Sequence, residues 1–239
     1  MFPRFLTVLT VMALFSVAFA QEPAQGPALG YEDSLLANYA ANVLPPPGTV
    51  SWVNITNSGF HASAANPTGN ICVNVYVFGG TGTDVDQEQP VTCCTCLLTK
   101  NEVKFWPVFS EFVANSIIPP PLPTSITIKL LATVPTGTAF NSCDATRDPT
   151  LAAIGTQGGF ASGLRAWGTH THIQPGPPAG PGGTTVTENA FEQVPLSSEE
   201  LQRDLLGTCR FINTFGSGHG ICSNCRSGAA APTPQLAPK

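Results

Sequence analysis

Eight cysteines divide this chain into a cysteine framework with two dense knots, Cys93-Cys94-Thr95-Cys96 and Cys222-Ser223-Asn224-Cys225, and three single members, Cys72, Cys143 and Cys209. An even number of thiols in an exported chain reads as a set of disulfides, and eight of them allow on the order of a hundred pairings. Strand geometry narrows the field. Successive side chains on a strand point to opposite faces, so Cys94 and Cys96 share one face and Cys93 takes the other. A bond between the neighbours Cys93 and Cys94 would close a strained small ring, so separate partners are expected. The spacing favours Cys209 joined to Cys222 or Cys225, and Cys72 joined to a member of the first knot.

Export is read from the first twenty residues. Arg4 precedes an uncharged apolar stretch over residues 5–19, and Ala18-Phe19-Ala20 fits a small-x-small cleavage pattern. The expectation is a signal peptide over 1–20, cleaved after Ala20, and a mature chain that is secreted, extracellular or periplasmic. Only 10% of residues are charged and the net charge is -5 with ten Lys and Arg. Phosphate backbones and anionic bilayers require clustered basic residues, so nucleic acid is excluded as a partner, as is a membrane after cleavage.

The pattern beyond residue 48 is that of strands. Residues 50–56 are rich in β-branched and aromatic side chains, and residues 71–78 place Ile71, Val73, Val75 and Val77 on one face against Cys72, Asn74, Tyr76 and Phe78. Further strands are expected at 91–99, 103–106, 125–133, 164–173 and 184–194, with short turns favouring antiparallel pairing of the 91–99 and 103–106 segments across Asn101. Ser197 followed by Glu200 is a capping-box pair, and Leu201, Leu205, Cys209 and Ile212 then recur on one helical face. About six to eight strands and one late helix give an all-β class. The expected architecture is an antiparallel β-sandwich, Ig-like or related, stabilised by disulfides and carrying one C-terminal helix. Residues 21–47, Pro/Gly-punctuated, read as a flexible arm with at most a short helix near Leu35–Leu44; 48–226 as the folded domain; and 227–239 as a disordered tail. The Pro/Gly-rich segment 174–183 reads as a hairpin loop.

Several constellations bear on chemistry. His219-Gly220-Ile221-Cys222-Ser223-Asn224-Cys225, with Cys94 and Cys96, could supply tetrahedral zinc ligands, or a redox-active C-x-x-C, in place of disulfides. His170 and His172 lie at i and i+2 on a strand and could grip copper or zinc, with His61 and His219 left to complete the site. No G-x-S-x-G elbow is present, and paired acids would have to come from the scattered Asp84, Asp86, Glu102 and Glu111. Asp84-Val85-Asp86-Gln87-Glu88 lacks the spacing of a calcium loop and reads as a solvated acidic loop, and Asn54-Ile55-Thr56 is a glycosylation sequon.

Cys72-Val73-Asn74-Val75-Tyr76-Val77-Phe78, the first cysteine knot, Leu164-Arg165-Ala166-Trp167 and Gly216-Ser217-Gly218-His219-Gly220-Ile221-Cys222 together resemble a group of exported bacterial cysteine-rich β proteins with no assigned activity. The resemblance spans most of residues 50–225, implies a secreted β-rich domain and carries over no catalytic residue. The resulting expectation is a secreted structural or interaction protein without a cofactor, whose partners are other copies of itself or other surface proteins. It would be a self-assembling subunit of a cell-surface or extracellular structure. Two alternatives stand beside it: a copper or zinc protein using His170 and His172, and a carbohydrate-binding module with Trp52, Trp106 or Trp167 as stacking platform.

Overall fold

The computed structural model describes residues 34–41, 43–44, 51–60, 63–79, 89–114, 122–173, 183–215, 222 and 225. The signal segment, the tail 227–239, the acidic loop at 84–88, His61, His219 and most of the 174–183 loop lie outside these residues. Nine strands are described: β1 (Leu35–Ala41), β2 (Ser51–Asn57), β3 (Ile71–Gly79), β4 (Gln89–Leu98), β5 (Val103–Pro107), β6 (Ser125–Thr133), β7 (Leu164–Ile173), β8 (Thr184–Ala190) and β9 (Glu192–Gln193). They form a five-stranded sheet in the order β4-β3-β6-β1-β9 and a four-stranded sheet in the order β5-β2-β7-β8. Every strand pair is antiparallel. The protein is thus a disulfide-stabilised all-β sandwich with a helix near its C-terminal end.

The β4-β3-β6 part of the five-stranded sheet is buried on both faces, which a two-layer sandwich does not require. Its inner face sends Val73, Val75 and Val77 of β3, Ile126, Ile128 and Leu130 of β6, and Cys94 and Cys96 of β4 into one core, where Val53, Ile55 and Trp106 arrive from the other sheet. The opposite face meets a second core, built from Tyr76, Phe78, Leu131 and Leu35 together with Leu201, Leu205, Cys209 and Ile212 of the helical segment. That segment is a π-helix over Glu200–Gly207 continuing into α1 (Thr208–Phe215). Ser197 Oγ accepts the Glu200 amide at 3.1 Å, as the capping pair predicts. The apolar stripe read from the sequence is the buried one. Lys129 Nζ reaches Glu200 at 2.7 Å and lies 5.0 Å from the Phe78 ring, which ties the helix start to β6 and β3. β3, read as two faces of unlike polarity, is accordingly buried along its whole length. Its polar members are paired: Asn74 donates to Thr133 Oγ1 at 3.1 Å, and the Tyr76 hydroxyl donates to the Ala145 carbonyl at 2.9 Å. Burial without such partners would cost roughly 1–3 kcal/mol per group.

Three expectations are corrected. Leu35–Ala41 is neither arm nor helix but a strand between β6 and β9, so the folded unit begins upstream of residue 48. Leu35 enters the helix-side core and Leu36 the inter-sheet core, and seven register pairs with β6 override the poor strand propensity of Ala and Asn. Second, β4 and β5 do not pair as a hairpin; β5 crosses to the other sheet and pairs with β2. Asn101, in the left-handed region at φ 62°, turns the chain, and its amide donates to the Asn57 carbonyl. On the edge of β4 that a hairpin partner would have used, the Cys222 amide donates to the Thr95 carbonyl at 3.1 Å.

The third correction concerns the cysteines, which pair as Cys72–Cys143, Cys93–Cys209, Cys94–Cys222 and Cys96–Cys225. Cys209 joins Cys93, and the second knot joins Cys94 and Cys96, because α1 lies on the face of β4 to which Cys93 points. Cys72 points to the helix-side face and there meets the loop carrying Cys143, whereas Cys94 and Cys96 of the first knot lie in the inter-sheet core. Three bonds from one strand close loops spanning 116, 128 and 129 positions, where chain-entropy estimates give on the order of 4–5 kcal/mol for a single bond. Replacing Cys93 and Cys209 together by Ser is expected to lower the stability measured by denaturant unfolding by about 2–4 kcal/mol, with amide exchange accelerating in α1 before β3. Unchanged stability would contradict the staple.

Candidate functional site

Alternation on β2 sends Val53 and Ile55 inward, so Trp52, Asn54 and Thr56 must face out; on β7 the same rule buries Leu164 and Ala166 and turns Arg165, Trp167 and Thr169 outward. Register then sets the neighbours. Trp52 is directly opposite Thr169, and Asn54 is directly opposite Trp167. The four side chains form a two-by-two lattice with the indoles on one diagonal and the amide and hydroxyl on the other. Phe105, opposite Asn54 on β5, packs edge-to-face on Trp52 with ring centroids 5.4 Å apart. On the far side Glu188 of β8 stands opposite Thr169.

Trp52, Asn54, Trp167, Thr169 and Glu188 line a shallow concavity of about 460 Å³. Its polar members are linked: Asn54 Nδ2 donates to Thr169 Oγ1 at 2.7 Å, and the Thr169 hydroxyl donates to Glu188 Oε1 at 3.4 Å. The apolar margin is open to solvent, with Val103 69%, Val186 59%, Phe105 39% and Trp167 38% exposed. No described element covers this face, whereas the outer face of the other sheet lies beneath the helix. A larger cavity, about 720 Å³, sits where β1 approaches β8 and β9, and is lined by Asn38, Tyr39, Thr127, Glu188, Asn189 and Glu192 among others.

The sequence candidates distribute unevenly over this geometry. Trp106 is fully buried against Phe112, centroids 5.8 Å apart, and is core rather than platform. Trp52 and Trp167 are the two indoles that share the open face. His170 is half-buried and its Nδ1 lies 2.8 Å from Ser51 Oγ on β2; His172 is exposed and its Nε2 lies 3.0 Å from Thr187 Oγ1 on β8. The two rings bond to opposite neighbouring strands, Ser51 on β2 and Thr187 on β8. The four sulfurs of the zinc candidate are bonded to each other in pairs, leaving no thiolate among Cys94, Cys96, Cys222 and Cys225. Glu111 lies within 4.8 Å of the Cys94–Cys222 sulfurs and is the only carboxylate grouped with them among the described residues. Glu102 does turn-building work: burial raises its carboxyl, but bonds from the Thr99 amide and hydroxyl and the nearby Lys104 hold it below its ordinary value. Phe105, Asn54, Thr169 and Glu188 were not singled out as binding residues from the sequence, although strand parity around Val53-Ile55 and Leu164-Ala166 carries that information.

Comparison with family models, with curated proteins and with solved structures returned no match. No helix among the described residues is long and apolar enough to cross a membrane. Four disulfides fit an oxidising compartment.

Burial, and secondarily the charge of His172, hold His170 below its ordinary value of 6.5. The unfolded chain therefore takes up this proton at higher pH than the folded one. Its contribution to stability is complete above the ordinary value and declines as pH falls through 6.5 toward the depressed folded value. His170→Gln is expected to flatten the fall in thermal midpoint between about pH 7.5 and pH 5 relative to the parent protein. Parallel pH curves for the two proteins would contradict this.

Proposed function

We propose that this chain is an exported interaction protein, without catalytic machinery of its own, that works at the cell surface or in an extracellular assembly and uses the four-stranded sheet as its working face. The observation that carries this reading is the asymmetry of the two sheets. One outer face is covered over much of its area by the helix and the disulfide-tethered loop; the other presents Phe105, Trp167, Val103 and Val186 to solvent, with Trp52 half-buried among them. Large exposed side chains of this kind, aromatic and clustered, are enriched where proteins bind partners.

Self-association is the form this takes in our reading. β8 ends the four-stranded sheet, all seven of its residues are exposed, and Thr184-Thr185-Val186-Thr187-Glu188-Asn189-Ala190 contains neither Pro nor Lys, the usual guards of a free edge. Strand addition from a second copy would pair its open backbone groups. Cleavage of the leader after Ala20 delivers the protein to that location.

Sedimentation of the mature, oxidised protein over increasing concentration is expected to show reversible association. Val186→Lys should weaken it at least about tenfold while shifting the thermal midpoint by only a few degrees, because β8 is exposed throughout. A monomer at every concentration, insensitive to this substitution, would overturn the self-assembly reading.

A further inference from the structure

We propose that the Trp52–Trp167 concavity is a binding site for a neutral, hydroxyl-rich saccharide, one or two pyranose rings long. The inference rests on the reading that the four-stranded sheet is the working face, and names the ligand class of that face.

The lining is amphipathic on the scale of a sugar ring. A pyranose carries C–H groups on its two flat faces and hydroxyls around its rim. The lattice matches this division: one diagonal carries the indoles of Trp52 and Trp167, whose π-systems attract C–H groups, and the other carries the Asn54 amide and the Thr169 hydroxyl. Diagonal neighbours across antiparallel strands stand about 7–8 Å apart, which suits a ligand bridging from one indole to the other. Glu188 extends the polar row and gives rim hydroxyls a charged acceptor. A volume of about 460 Å³ is of the size that small ligands occupy.

The polar lining argues against hydrocarbon as the occupant of the concavity itself, which leaves protein contact to the β8 edge and the apolar margin. Covering the Asn54–Thr169–Glu188 chain with hydrocarbon would strip water from an amide, a hydroxyl and a carboxylate together, leaving the charge without compensation. Saccharide hydroxyls replace that water bond for bond. The carboxylate also sets the sign: acidic glycans are disfavoured and neutral ones accepted. The site is held rigid from below, since Val53, Ile55, Leu164 and Ala166 on the other side of the same strands are packed in the core.

The test uses the mature full-length chain with its disulfides intact. Binding of neutral oligosaccharides (β-linked gluco-, xylo- and manno-oligomers) and of an acidic one (oligogalacturonate) is followed by calorimetry and by tryptophan fluorescence. Saturable binding of at least one neutral oligomer is expected, with Trp52→Ala or Trp167→Ala weakening it about tenfold or more, Trp52→Phe retaining part of it, and Leu151→Ala, at an exposed site in the 149–151 turn next to the helical segment, leaving it unchanged. Glu188→Gln should weaken neutral binding and reduce the penalty against oligogalacturonate. No neutral oligomer binding up to about 10 mM, or binding that ignores both tryptophans, overturns the proposal. Sedimentation of the same preparations separates the two readings. Saccharide silence with association lost in Val186→Lys removes the sugar site alone, and so does association that is itself abolished by Trp52→Ala; silence in both assays removes the working face as well.

Discussion

The structure depends on one short piece of chain, the Cys93-Cys94-Thr95-Cys96 run of β4. Because side chains alternate along a strand, three cysteines in four positions necessarily reach both faces of the sheet. Cys93 holds α1 against one face through Cys209, while Cys94 and Cys96 hold residues 222 and 225 through the other. The same run places the Cys222 amide on the Thr95 carbonyl, so one backbone acceptor on the outer edge of β4 is met by the chain's own Cys222.

Closure of the five-stranded sheet determines what the rest of the molecule can do. With a helix and a tethered loop on one side and a second sheet on the other, β3 and β6 are central and their polar groups must be paired internally, as Asn74, Tyr76 and Thr133 are. The β3 and β4 part of that layer tolerates little change, and the sheet's exposed surface is confined to the β1–β9 side. Interaction is left to the four-stranded sheet, whose outer face is free to carry side chains that a core would reject beside one another: two indoles, an amide, a hydroxyl and a carboxylate. The scarcity of charge over the whole chain fits a protein whose surface works through aromatic and hydroxyl groups rather than through ion pairs.

Much of this is legible in the residues. Strand parity separates Cys93 from Cys94 and Cys96, β-branched alternation locates β2, β3, β6 and β7, and the Ser197–Glu200 pair marks the helix start. The pairing of cysteines is less accessible, because it depends on which sheet edge each element reaches, and that is a long-range property. β1 escapes for a related reason: Leu-Leu-Ala-Asn-Tyr-Ala-Ala has weak strand propensity, and only its alignment with β6 makes it a strand. The Asn101 turn looks like a hairpin signal, but β5 leaves β4 and pairs with β2 in the other sheet, a long-range pairing that the local turn does not reveal. For the candidate site, parity alone separates Trp52 from Val53; what it cannot supply is the register that sets Trp52 beside Thr169 and Asn54 beside Trp167.

The claim that the four-stranded sheet is the working face is tested most directly by oxidative footprinting of the three tryptophans, read by mass spectrometry on the isolated protein and on the protein in its native extracellular material. Trp106 should be unreactive in both, and Trp52 and Trp167 reactive when isolated but protected in the native material. Equal reactivity of Trp52 and Trp167 in the two states would contradict the account.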